Sequence, residues 1–187
     1  MKISILTLVA AGLMSLASVA SSAELVEVAL KDKLDTTTNE YCFDIMGGGQ
    51  NVDPSRGLQA HTCYSYRGEL GVDQAVTMAD LENGQFNITD FDVCVTMSSL
   101  EEGAAVALSA CDDSDLQQFD FDFAAAGPIT PVSAPDMCVT IGDETSYGMA
   151  VRHQIRTLSL EKCSDDLADR QNWFTRDQEA YNASIEE

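Results

Sequence analysis

The residues of this chain with chemistry to offer are its six cysteines, two histidines and 31 acids. The cysteines recur in one context. An apolar–Cys–apolar–Asp/Thr–apolar run reads Tyr41-Cys42-Phe43-Asp44-Ile45, Val93-Cys94-Val95-Thr96-Met97 and Met137-Cys138-Val139-Thr140-Ile141. An alternating stretch ending in a second cysteine follows each run: Leu58 to Cys63, Val106 to Cys111 and Leu158 to Cys163. A Gln-x-apolar element then closes each unit, as Gln74-Ala75-Val76, Gln117-Gln118-Phe119 and Gln171-Asn172-Trp173. Zinc would call for short Cys-x-x-Cys pairs, and there are none. In a chain with an export signal, six cysteines favour disulfides, with fifteen pairings open to them. The repeat selects one pair per unit: Cys42–Cys63, Cys94–Cys111 and Cys138–Cys163. Each closes a loop of roughly 15 to 25 residues, worth about 3 kcal/mol in the chain-entropy description.

The remaining chemistry is sparse. The only histidines are His61 and His153, and no Gly-x-Ser-x-Gly, His-Glu-x-x-His or phosphate loop occurs. Acid pairs such as Glu101-Glu102 carry no glycosidase signal at this composition. The run Asp112-Asp113-Ser114-Asp115 suggests calcium but lacks the glycine of an EF-hand loop, and it reads as a solvated loop. His61 and Cys63 form no nucleophile pair if Cys63 is oxidised. The expectation is a protein that is not an enzyme and has no cofactor and no metal.

The elements that must position these residues are short. Cys42 and Asp44 alternate with Phe43 and Ile45, and Ala107 and Ser109 with Val106 and Leu108, which is the period of a half-buried strand. Turn chemistry separates the strands at Gly47-Gly48-Gly49, Asp53-Pro54, Asn83-Gly84, Gly127-Pro128 and Pro135-Asp136. Long helical periodicity is absent. A threefold repeat of roughly 45 residues built from short strands predicts an all-β, closed, pseudo-threefold barrel. Leu25 to Leu30 reads as an entry strand, followed by a polar connector to Glu40. The polar tail after Phe174 is expected to fray.

The first 23 residues carry one charge, Lys2, then an apolar stretch from Ile3 to Leu16 and small residues up to Ala23. This reads as a signal peptide over 1–23, cut after Ala23 or Ala20, and too short for a span. Export to a periplasm or out of the cell is expected. Residues 24–187 then form one domain, with repeats at about 30–78, 79–124 and 125–175. Removing Lys2 leaves 9 Lys+Arg against the 31 acids, and no base lies between Arg67 and Arg152. Such a surface repels nucleic acid and anionic membranes, and nothing after the signal is apolar enough to insert.

Three ordered copies of Cys-x-Asp/Thr, a strand ending in Cys, and Gln-x-apolar resemble the ricin-type (Gln-x-Trp) β-trefoil lectin domain. The resemblance runs from about Tyr41 to Trp173. It implies a twelve-strand trefoil with the Gln-x-Trp side chains in the core and one shallow sugar pocket per lobe. It implies further that repeat one supplies the pocket residues Asp44, Gln59, His61, Asp73 and Gln74. A carboxylate at Asp44 accepts two hydrogen bonds from adjacent sugar hydroxyls. His61 stands where Trp or Tyr is commoner, so Tyr64 or Tyr66 would supply the aromatic plane. Asp73 replaces the more usual Asn and adds a second carboxylate that could recruit a cation. The alternative for Asp44 is a strand-end residue bonded to backbone, and for His61 a surface strand residue. Gln74, Gln117 and Gln171 also read as structural amides tying backbone across each lobe.

Repeats two and three replace the Asp with Thr96 and Thr140, the Gln with Ala107 and Ser159, and the aromatic with Ser109 and Glu161. They read as scaffold. The functional expectation is a carbohydrate-binding protein whose partner is a glycan or polysaccharide, with galactose-type sugars implied at family level only. A single shallow site binds weakly, so a partner protein or an oligomer would supply avidity. The rivals are a non-lectin interaction module, such as a subunit of a secreted complex or toxin, and an enzyme inhibitor acting through the loop Gly47 to Gly57.

Overall fold

The computed structural model describes residues 24–37, 39–123 and 125–186. The expected signal peptide, 1–23, lies outside the described residues. The chain is an all-β trefoil. Repeat one contributes β1 (Leu25–Leu30), β2 (Tyr41–Ile45), β3 (Leu58–Thr62) and β4 (Ala75–Thr77). Repeat two contributes β5 (Asn87–Ile88), β6 (Val93–Met97), β7 (Ala104–Ser109) and β8 (Phe119–Asp120). Repeat three contributes β9 (Thr130–Pro131), β10 (Met137–Ile141), an inserted hairpin β11 (Ser146–Tyr147) and β12 (Gln154–Arg156), then β13 (Leu158–Lys162) and β14 (Trp173–Arg176).

The register makes the sequence repeat physical. Asp44 stands opposite Gln59 across β2–β3, Thr96 opposite Ala107 across β6–β7, and Thr140 opposite Ser159 across β10–β13. The alternation sends Phe43 and Ile45, Val95 and Met97, and Val139 and Ile141 into one core. The third residues of the Gln-x-apolar elements, Val76, Phe119 and Trp173, join them. Trp173 packs edge-on against Phe43 at 4.8 Å and donates its indole N–H to Val139 O at 2.9 Å. The three disulfides pair as expected: Cys42–Cys63, Cys94–Cys111 and Cys138–Cys163. Three such links suit an oxidising compartment. No helix among the described residues is long and apolar enough to cross a membrane.

Two features depart from the expectations. The inserted hairpin adds two strands to the twelve, and β12 pairs with β3 of repeat one, Ile155 opposite His61 and Arg156 opposite Ala60. Arg156 fixes it there, donating to Asp35 Oδ1 at 2.8 Å, Gly142 O at 2.8 Å and Thr145 Oγ1 at 2.9 Å. The tail also does not fray where expected. β14 pairs with β1, and the helix Gln178–Ser184 that follows buries Tyr181. Asp177 caps that helix by accepting from Ala180 N. Arg176 reaches inward to the fully buried Glu27 and to Glu40.

Candidate functional site

Each lobe is closed by the same amide. Gln74 Oε1 accepts from Tyr64 N at 2.8 Å, Gln117 Oε1 from Asp112 N at 2.8 Å and Gln171 Oε1 from Ser164 N at 3.0 Å. Their Nε2 groups donate to Thr62 O, Ala110 O and Lys162 O. In every lobe the glutamine therefore ties the backbone on both sides of the second cysteine. What differs is the remaining partner of Nε2: Ser109 Oγ in lobe two, Thr140 Oγ1 in lobe three, and the Asp44 carboxylate in lobe one.

Lobe one brings together all five residues that the sequence singled out. Asp44 accepts from Gln74 Nε2 on Oδ1 at 3.0 Å and from Gln59 Nε2 on Oδ2 at 2.8 Å. Asp44 and Gln74 have no exposed surface, and Gln59, His61 and Asp73 are buried. Burial pushes the Asp44 carboxyl well above its usual range, and the neighbouring Asp73 charge adds to this against the two amide donors. Burial also raises Asp73, with its own backbone N–H and the Arg67 charge opposing. Asp44 is thus a covered floor to the site, and the rim is made by other residues.

The cover is Tyr64. Its ring lies 5.0 Å from that of His61, and the Arg67 guanidinium stands over it at 5.4 Å. Burial and the charges of Asp44 and Asp73 behind it raise its hydroxyl pKa. Of the two tyrosines, Tyr64 and not Tyr66 lines the clefts of this lobe. It is also a ridge between two clefts. One, of about 310 Å³, is lined by Asp73, Gly71, Glu69 and Phe91. The other, of about 490 Å³, is lined by His61, Arg56, Met149 and His153. Gly49, Tyr64 and Arg67 belong to both. His61 donates from Nδ1 to Thr62 O, and burial lowers its pKa to about 4, with His153 contributing and the Thr62 bond opposing. It is a neutral ring at ordinary pH.

Glycines shape both clefts. Gly47 has φ +127°, and a Cβ there would lie 2.1 Å from Asn51 O, so the turn at the rim admits no side chain. A Cβ on Gly71 would lie 2.5 Å from Tyr64 Cδ2 and 2.8 Å from Asp73 Oδ1. Gly71→Ala is therefore expected to displace the Tyr64 ring at a cost of about 1–3 kcal/mol. Urea unfolding, together with increased accessibility of the Tyr64 ring by NMR, checks this.

The sequence reading missed Arg56, Arg67, Gly71 and His153 as parts of this site. One signal was available: residues 142–157 separate the two halves of repeat three, longer than 46–57 or 98–105 in the others. The insertion is what carries Met149 and His153 to lobe one. Glu27, Cys42 and Cys63 also converge, but both sulfurs are spent in a disulfide and cannot ligate as thiolates.

No family model and no curated protein matches the chain. Solved structures do. The agglutinin from Abrus precatorius superposes with a TM-score of 0.57 at 18% identity, over 85% of this chain and 51% of that one. The chain thus spans about half the length of the agglutinin chain. ThreeFoil, a designed threefold-symmetric protein, superposes with a TM-score of 0.60 at 12% identity, over 82% of this chain and 98% of the other. At these identities the likeness shows the fold, the β-trefoil of a lectin and of a symmetric design.

Proposed function

We propose that this chain is a secreted, ricin-type carbohydrate-binding protein with one sugar site, in lobe one. The observation that carries the reading is the Tyr64 ring, which lines two clefts beside Asp44, where lobes two and three have Thr96 and Thr140. A sugar ring would rest its apolar face on Tyr64 and His61. Its hydroxyls would bond to Asp73, while Asp44 holds Gln59 and Gln74, and through Gln74 the backbone N–H of Tyr64, in place. The agglutinin neighbour supports the reading at the level of fold. Lobes two and three, with Thr96, Ser109, Thr140 and Glu161 at the matching positions, serve as scaffold.

The test is a glycan array probed with the oxidised protein lacking residues 1–23, beside Tyr64→Ala. Wild type is expected to bind a set of hydroxyl-rich glycans, and the variant to lose at least about tenfold in affinity, the scale of one lost stacking contact. Binding that ignores Tyr64 would move the site elsewhere.

A second reading, a protein-recognition module, is favoured by the inserted hairpin. Tyr147, Met149 and Val151 stand 58%, 104% and 70% exposed near its tip. An apolar turn of this kind fits a protein partner better than a sugar. Partner capture lost in Met149→Ser with Val151→Ser, but kept in Tyr64→Ala, would select it.

A further inference from the structure

The larger cleft has a charge opposite to that of the rest of the molecule. The chain carries 31 acids and a net charge of −21, yet no Asp or Glu lines this cleft. Its charged and titratable lining is Arg56 from the turn before β3, His61 on β3, Arg67 after Tyr64, and His153 from the inserted hairpin. Arg152 adjoins them. The exposed guanidiniums of Arg56, Arg67 and Arg152 enter no ion pair among the described residues, whereas Lys33, Arg156, Lys162 and Arg176 all do. Lys31 and Arg170 also lack an ion pair among the described residues but do not line the cleft, so three of the five unpaired cations are brought to one place by segments distant in sequence.

The positive field is felt inside the cleft. The His153 ring lies 5.3 Å from that of His61, and burial, then the charges of Arg152 and Arg67, lower its pKa. Asp53 feels the Arg56 charge from outside the cleft, and Asp73, which feels that of Arg67, lines the smaller cleft with Glu69. The two clefts across Tyr64 therefore differ in charge: Asp73 and Glu69 line the smaller, no acid lines the larger, and Arg67 borders both.

We propose that the larger cleft is an anion subsite, gripped by Arg56 and Arg67, that selects a carboxylate- or sulfate-bearing sugar. This rests on the carbohydrate reading of lobe one and names its substrate class. Guanidinium groups bind planar oxyanions through paired, charge-assisted hydrogen bonds. The aromatic floor of Tyr64 and His61 favours a sugar ring as the carrier of that anion over an acidic peptide. The surrounding acidic surface repels a polyanion, so the ligand is a short acidic saccharide or the end of a chain.

The experiment compares uronate- and sulfate-bearing oligosaccharides with their methyl-esterified or desulfated neutral counterparts, and with a hexaglutamate peptide. Wild type and Arg56→Gln with Arg67→Gln are titrated side by side. The expected result is an acidic sugar bound at least about tenfold more tightly than its neutral counterpart, a preference that weakens with salt and disappears in the double variant. Equal binding of acidic and neutral sugars by wild type would overturn the anion subsite and leave the sugar site intact. Arginine-dependent binding of hexaglutamate in preference to every sugar would overturn both. So would no binding of any probe.

Discussion

Replacing Arg176 with methionine is expected to cost about 3–5 kcal/mol of stability, the usual penalty for stranding one member of a buried ion pair. Arg176 donates to Glu27 Oε1 and lies 2.9 Å from Glu40 Oε2. Glu27 is fully buried on β1, and its Oε2 has no hydrogen-bond partner among the described residues. Burial raises its pKa, and Arg176 is the main opposing influence. Without the guanidinium, that carboxyl must take up a proton or stand charged in a low dielectric. The Arg176 ring contacts to Phe174 and Tyr181 would go as well, loosening the C-terminal helix. Urea unfolding measures the loss. Adding Glu27→Gln should recover much of it, because the stranded charge is removed along with its partner. An Arg176→Met variant as stable as wild type would show that the tail does not depend on this pair.

The second large effect concerns Asp44 and has a sign set by pH. The folded protein holds the Asp44 proton more tightly than the unfolded chain does. Stability from this group is complete below the ordinary carboxylate pKa and is lost as pH rises through the elevated one. Asp44→Asn removes that titration. Its amide can accept from Gln74 and, once the Gln59 amide turns over, donate to it. The variant is therefore expected to gain on wild type as pH rises towards 8, and to gain nothing at pH 3. Asp44→Ala leaves two buried amide donors without an acceptor and should fall about 2–4 kcal/mol below Asp44→Asn. Unfolding curves of the three proteins from pH 3 to pH 8 decide the matter. Parallel pH profiles for wild type and Asp44→Asn would contradict the raised pKa.

Much of this fold was legible because the repeat is carried by residues with one physical use each. A cysteine opposite the partner strand, an apolar alternation and a glutamine that ties the lobe can be read three times over, and each copy constrains the others. Asp44, Gln59, His61, Asp73 and Gln74 were singled out as a set by the family resemblance, and all five are buried in lobe one. The burial of Asp44 was not legible, because Gln59, Gln74 and Asp73 close around it only in the folded lobe. The polar stretch 142–157 gave no hydrophobic period from which to place it, so its pairing with β3 through Ile155 and Arg156 could not be foreseen. The tail was misread for a related reason: a polar sequence frays unless a buried partner waits for it, and Glu27 is 149 residues from Arg176. Arg56, Arg67 and His153 converge only through that same tertiary arrangement.

The measurement that tests the central claim most directly is NMR shift mapping of the isotope-labelled, oxidised protein with a glycan taken from the array. Perturbations are predicted at His61, Tyr64, Arg67 and Asp73, with Thr96, Ser109, Thr140 and Glu161 unmoved. Shifts centred on those positions of lobes two and three, or on the Tyr147–Val151 turn alone, would contradict a sugar site in lobe one.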